Sequence, residues 1–270
     1  MSFLRGLTAL LERDWAEHLS YKASVLVDAG VALAHVVTYF FISRLLPAGA
    51  SPYLARYGGS YFPFALIGIA FAQYHRAALS GLSSALAREQ DGGTLELIWL
   101  SPAGLPGVLA AGWLWEFFWV TARVALYLAA GAILFGVDFS RASFTSAAAT
   151  LFLTMSSLAG LGLMSAGFLL VYKRGDPVSY LLDGATRLLS GVYFPVALLP
   201  AWLAVASKAL PFTFALEVLR RAILEGAGLR GLGLELGVLA GWTIVALPLG
   251  LWLFGKAVER ARRDGSLALR

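Results

Sequence analysis

The chain has 270 residues, of which 59% are hydrophobic and only 14% charged, with a mean hydropathy of +0.75. Soluble domains run nearer about 45–50% apolar and about 25% charged, so lipid must solvate most of this surface. The net charge of +5 sits mainly in short loops and tails, where it sets orientation rather than a nucleic-acid interface, and the absence of cysteine excludes disulfides and thiolate chemistry.

The first twenty residues intersperse Arg5, Glu12, Arg13, Asp14 and Glu17, which leaves no clean apolar stretch for a signal peptide. Instead Phe3, Leu4, Leu7, Leu11, Trp15 and Leu19 recur at helical spacing, with Arg5, Glu12, Arg13 and Glu17 on the opposite side. That pattern predicts an amphipathic helix over 3–19, too polar to span and expected along the membrane surface. A first span follows over 23–42, and then a loop holding Pro47, Gly49, Pro52, Gly58 and Gly59. The second span covers 61–86, dented by Gln73, Tyr74, His75 and Arg76. A third over 105–135 and a fourth over 147–172 are separated by GVDFSRAS. The tight KRGDP turn at 173–177 leads into a fifth, over 178–194.

Residues 195–229 are cut by Pro195, Pro200 and Pro211 into two apolar pieces, 196–210 and 212–224. Each is shorter than the ~20 residues that a 30 Å hydrocarbon core demands. The second is amphipathic, with Phe212, Leu216, Leu219 and Ile223 opposite Glu217, Arg220, Arg221 and Glu225, so the stretch predicts a pair of re-entrant or interfacial helices. A last span over 231–254 ends in the basic tail KAVERARRDG. The expected fold class is an all-α polytopic membrane protein with six transmembrane helices in a single domain, 1–270. Lys and Arg outside the spans divide eleven against seven in favour of the side carrying the N-terminus, 88–102, KRGDP and the C-terminal tail. This places both termini in the cytoplasm.

Chemistry is sparse. No G-x-x-x-x-G-K-[ST] phosphate loop occurs, since Gly255-Lys256 is followed by Ala257. His18, His35 and His75 lie far apart without metal-ligand spacing, so neither a catalytic nor a metal site is expected. Ionisable groups inside the spans are more informative, because each costs about 2.5–3.5 kcal/mol at mid-bilayer on insertion scales. They are Asp28, His75, Arg76, Glu116, Arg123, Asp183 and Arg187. Asp183 and Arg187, four apart, share a helical face, as do Glu116 and Arg123, seven apart. Two readings stay open for them: a polar substrate path or dimer contact, and ion pairs that lock helices together. Gly233, Gly237 and Gly241 make a small-residue stripe to which no function is assigned.

Residues 88–102, REQDGGTLELIWLSP, read as a short cytoplasmic helix with distinct ends. Asp91, Gly92 and Gly93 break the preceding helix, Thr94 caps a new one, and Ser101-Pro102 ends it. Leu95, Ile98 and Trp99 form an apolar face and Glu96 points elsewhere, a shape that suits a partner groove.

Two motifs, in this order, resemble the membrane subunits of type-2 ABC exporters, and the resemblance covers essentially the whole chain. The first is Glu89 followed by Gly93-Thr94-Leu95-Glu96 and closed by Leu100-Ser101-Pro102, similar to the family's coupling helix. The second is 190–224, with Phe194-Pro195, Leu199-Pro200, Leu210-Pro211-Phe212-Thr213 and Glu217-x-x-Arg220, similar to its outer helix pair. Asp91-Gly92 ahead of Gly93 departs from the pattern and loosens the helix start. The resemblance implies a permease in a bacterial cytoplasmic membrane, paired with a second copy or a sister permease. Two separate ATPase subunits would bind ATP and Mg and push on 88–102 through Glu89, Gly93, Thr94, Leu95, Glu96, Ile98 and Trp99. Substrates of such proteins include drug-like amphiphiles, lipids and lipid-linked glycans. Two rivals from other classes are an intramembrane lipid-modifying enzyme using Asp28, Asp183 or Glu116, and an ion-coupled secondary transporter, although no internal repeat of spans is visible.

Overall fold

Backbone groups in hydrocarbon must bond within their own segment, so a chain this apolar is built from helices. A computed structural model describes residues 2–20, 22–46, 52–57, 59–94, 97–98, 104–172 and 177–263, and among them there are helices and no strand. In chain order these are α1 (Ser2–Ser20), α2 (Lys22–Leu45), α3 (Tyr61–Asp91), α4 (Gly104–Phe135), α5 (Phe144–Tyr172), α6 (Pro177–Leu189), α7 (Ala201–Lys208), α8 (Pro211–Leu224) and α9 (Gly233–Arg263). Short 3-10 turns lie at Pro52–Tyr57, Val196–Leu198 and Leu229–Leu232.

α3 is the axis of the fold. It packs against α2, α4, α5, α6 and α8, and most of its side chains from Phe62 to Leu86 are buried. α5 lies between α3 and α9, with α8 against all three. The α5–α9 crossing is close because Gly160 and Gly250 face it: a Cβ on Gly160 would lie 2.1 Å from the Ala246 carbonyl oxygen, and one on Gly250 2.3 Å from that of Gly160. The Gly233, Gly237 and Gly241 stripe, by contrast, has nothing within 4 Å of an added Cβ among the described residues and takes no part in their packing.

Four helical segments are long and apolar enough to cross a membrane: Val25–Leu45, Gly104–Phe135, Phe144–Tyr172 and Leu229–Arg263. These contain the predicted third, fourth and last spans and overlap the first, which is shifted by two to three residues, and the last runs on as helix through much of the basic tail. The predicted second span falls on the 31-residue α3, which is not among these four: it is less apolar, and neighbouring helices bury most of it. The predicted fifth is shorter than expected. α6 has 13 residues, about 20 Å of rise, and the chain then turns at Gly191, where φ is +77°.

The prolines of 195–229 do divide that stretch, and α7 and α8 meet at 86°. α8 is not a helix with one wet side. Phe212, Leu216, Leu219 and Ile223 are buried as predicted, but so is Arg220, 3% exposed, which the sequence pattern had placed on the polar face. Pro211 opens α8 and is buried, Pro195 is buried in the preceding turn, Phe194 is half-buried, and Pro200 is exposed at the start of α7.

Candidate functional site

The C-terminal end of α3 forms a pinned corner. Gly92 caps the helix with its amide on the Arg88 carbonyl at 2.9 Å. Gly93 then turns the chain at φ +66°, a conformation that penalises any residue with a Cβ. The Thr94 amide donates to the Glu89 carbonyl at 3.0 Å, and the Ile98 amide returns to the Thr94 carbonyl at 3.0 Å, the first bond of a new helical turn. Leu97 in that turn is 69% exposed while Ile98 is buried. Leu95, Glu96 and Trp99, the rest of the predicted coupling face, lie outside the described residues.

Glu89, read from sequence as part of the coupling motif, sits in the last turn of α3 and is buried. Its carboxylate accepts a 2.6 Å bond from Arg13 Nη2 on α1 and a second from the Thr94 hydroxyl. Arg13 also reaches Asp14 at 3.0 Å. Burial works against the Arg13 charge, but its bonds to Glu89 and Asp14 more than restore it, leaving the guanidinium above its ordinary pKa. Beside this knot Trp15 packs edge-on against Trp115 of α4, centroids 6.0 Å apart, and against Phe118 at 5.7 Å. α1 is thus attached to α3 by charge and to α4 by aromatic contact.

A polar seam runs through the middle of the helices. Arg123 of α4 pairs with Asp28 of α2 at 3.2 Å. Asp183 of α6 accepts from Arg187 Nε at 2.9 Å and from Arg76 Nη2 of α3 at 3.3 Å. Tyr127 bonds His35 at 3.0 Å, and Tyr39 stacks on Tyr193 with planes 3° apart. Glu116 does not join Arg123 despite the shared face; it lies 3.9 Å from Arg88 across the α3–α4 contact. The Asp183–Arg187 pair was readable from the i,i+4 spacing. The pairs Asp28–Arg123, Arg76–Asp183 and Arg88–Glu116 join separate helices, so no local spacing announces them. His75 is buried against Phe212, centroids 4.7 Å apart.

At the N-terminal end of α3, Arg220 reaches across from α8. It donates to the Phe64, Gly191 and Val192 carbonyls at 2.8–3.3 Å, and its guanidinium lies 3.5 Å from the Phe64 ring centroid. Gly68 makes room, since a Cβ there would stand 2.1 Å from the Val192 oxygen and 2.8 Å from Arg220 Nη2. Glu217 accepts a 2.5 Å bond from the Tyr57 hydroxyl, tying α8 to the Pro52–Tyr57 turn.

Comparison with known families gives a match to the ABC-2 type transporter domain over residues 8–224, from α1 to the end of α8. The chain belongs to the ABC-2 type transporter family. No curated protein matches it. This ABC-2 chain is an integral membrane protein and a permease of an ABC transporter, a kind of subunit that typically lacks a nucleotide site and normally works with separate ABC ATPases.

Proposed function

We propose that this ABC-2 permease is the membrane half of an exporter, pairing with a second copy or a sister permease and driven by two ATPase subunits that bind ATP and Mg. In this reading α1–α9 cross the bilayer six times, with α7 and α8 dipping in from the outer side and both termini in the cytoplasm of a bacterial cell. The observation that carries the reading is the Glu89 corner. The segment starting at Thr94 is held by a buried carboxylate at the end of the central helix, so force applied to 94–102 passes into α3 without slack. The exposed Leu97 adds apolar surface for an ATPase groove. The transported molecule is a drug-like amphiphile, a lipid or a lipid-linked glycan. The intramembrane-enzyme alternative is weakened because Asp28, Glu116 and Asp183 each lie against an arginine rather than standing ready as acid or base.

The test is to express the chain with a candidate ABC ATPase subunit from the same organism, purify the assembly and reconstitute it. The expected result is a stable complex whose ATP hydrolysis and transport are coupled, and in which Glu89→Ala abolishes the coupling while hydrolysis continues. A chain that assembles with no ATPase, or a Glu89→Ala complex that transports normally, would refute the assignment.

A further inference from the structure

At the seam between α3 and α6, the Asp183–Arg187 pair keeps one buried acceptor atom and one buried donor atom without a partner among the described residues. Asp183 Oδ2 already takes both Arg187 Nε and Arg76 Nη2. The remaining Asp183 oxygen, Oδ1, and the terminal Arg187 nitrogen, Nη2, are buried and have no hydrogen-bond partner among the described residues. Leaving such atoms unpaired is costly, and an unpaired charged group more so than a neutral one. The charge is unbalanced as well. Arg76, Arg123 and Arg187 all lie within electrostatic range of the Tyr127 hydroxyl, while Asp28 and Asp183 are the carboxylates paired with them. Three cations against two anions leave one positive charge midway along the helices, where lipid would not tolerate it.

We propose that this seam binds the head group of an anionic amphiphile carrying a phosphodiester and a hydroxyl, a phospho-polyol. The phosphate accepts from Arg187 Nη2 and neutralises the surplus charge, and a head-group hydroxyl donates to Asp183 Oδ1. A guanidinium suits this task because its planar fork matches phosphate oxygens. The stacked Tyr39 and Tyr193 rings supply an amphipathic wall for the start of the acyl chains. Arg76, whose side chain is 59% exposed, is the group that swings to admit the ligand. The inference deepens the permease reading, on which it rests, by naming the chemistry of its cargo.

The experiment measures equilibrium binding of labelled dioleoyl-phosphatidylglycerol and dioleoyl-phosphatidylcholine to the purified full chain in neutral-detergent micelles, with sn-glycerol 3-phosphate as a soluble competitor. The expected result is a preference for phosphatidylglycerol of at least about tenfold, the worth of a hydrogen bond to a charged group. That preference should be lost in Arg187→Gln, reduced in Arg187→Lys and Arg76→Gln, and kept in Arg230→Gln, which alters an exposed turn. Arg76→Gln changes a largely exposed side chain, so an unchanged melting temperature separates lost binding from lost folding. Equal binding of the two lipids, or a preference that survives both Arg76→Gln and Arg187→Gln, overturns the proposal. Full competition by equimolar glycerol 3-phosphate overturns the membrane source and assigns the site to a soluble phosphate. No ATPase is needed, so a chain that couples normally to its ATPase but shows no preference refutes this inference and leaves the permease reading standing.

Discussion

Gly68→Ala adds a single methyl group in the third turn of α3, and its effect can be worked from distances. The new Cβ would lie 2.1 Å from the Val192 carbonyl oxygen and 2.8 Å from Arg220 Nη2, where ordinary contacts begin near 3.4 Å. The 190–195 turn must retreat by about 1 Å, an overpacking that costs roughly 1–3 kcal/mol. The retreat also strips Arg220 of its bonds to the Gly191 and Val192 carbonyls, each worth about 1.5–3 kcal/mol when the donor is charged and buried. Against this stands the helix propensity of alanine over glycine, about 1 kcal/mol. The net expectation is a destabilisation of about 3–8 kcal/mol. Gly237→Ala is the matched control, since it makes the same chemical change inside α9 with nothing within 4 Å. The assay is chemical denaturation of the purified chain in detergent, followed by tryptophan fluorescence, with both variants run beside the parent. Should Gly68→Ala prove as stable as Gly237→Ala, the account of Arg220 as a buried tie between α3 and α8 is wrong.

Charge reversal tests the Glu89 corner: Arg13→Glu alone should lose coupled transport, and Arg13→Glu with Glu89→Arg should regain part of it, measured as transport per ATP hydrolysed. Asp183→Asn leaves Arg76 and Arg187 without their shared anion and should destabilise the chain by about 2–4 kcal/mol, less than for a fully buried pair because Arg76 is exposed, as read from denaturation midpoints. Gly160→Leu should prevent α9 from seating on α5, seen as loss of the folded monodisperse peak on size exclusion, while Gly241→Leu should not. Tyr57→Phe removes the hydroxyl bonded to Glu217 and should cost about 1–3 kcal/mol in the same denaturation assay.

Much of the helical plan was legible because hydropathy and proline placement act locally. The first, third, fourth and last spans are apolar enough to be seen in any window, and Gly93 with Thr94 announces its turn by chemistry alone. What escaped was decided by neighbours distant in sequence. Arg220 looked like one of several charges on a wet helix face, yet its partners Phe64, Gly191 and Val192 are 28 to 156 positions away. Glu116 shares a face with Arg123 but meets Arg88, because the α3–α4 contact outweighs position along one helix. The visible glycine stripe of α9 points away from the described helices, whereas Gly160 and Gly250, which no repeat marks, let α5 and α9 cross closely. α6 read as a longer span because the apolar run continues past Gly191 after the helix has stopped.

α3 is unbroken from Tyr61 to Asp91, about 46 Å of continuous helix, and it is held at both extremities. Arg220 grips it within two turns of its N-terminal end, and Arg13 grips it within its last turn. A rod fixed in this way has no joint at which motion can be absorbed. A tilt imposed at Glu89 is therefore carried along the helix to Phe64 and the turn at Gly191, and the two ends of α3 cannot move independently.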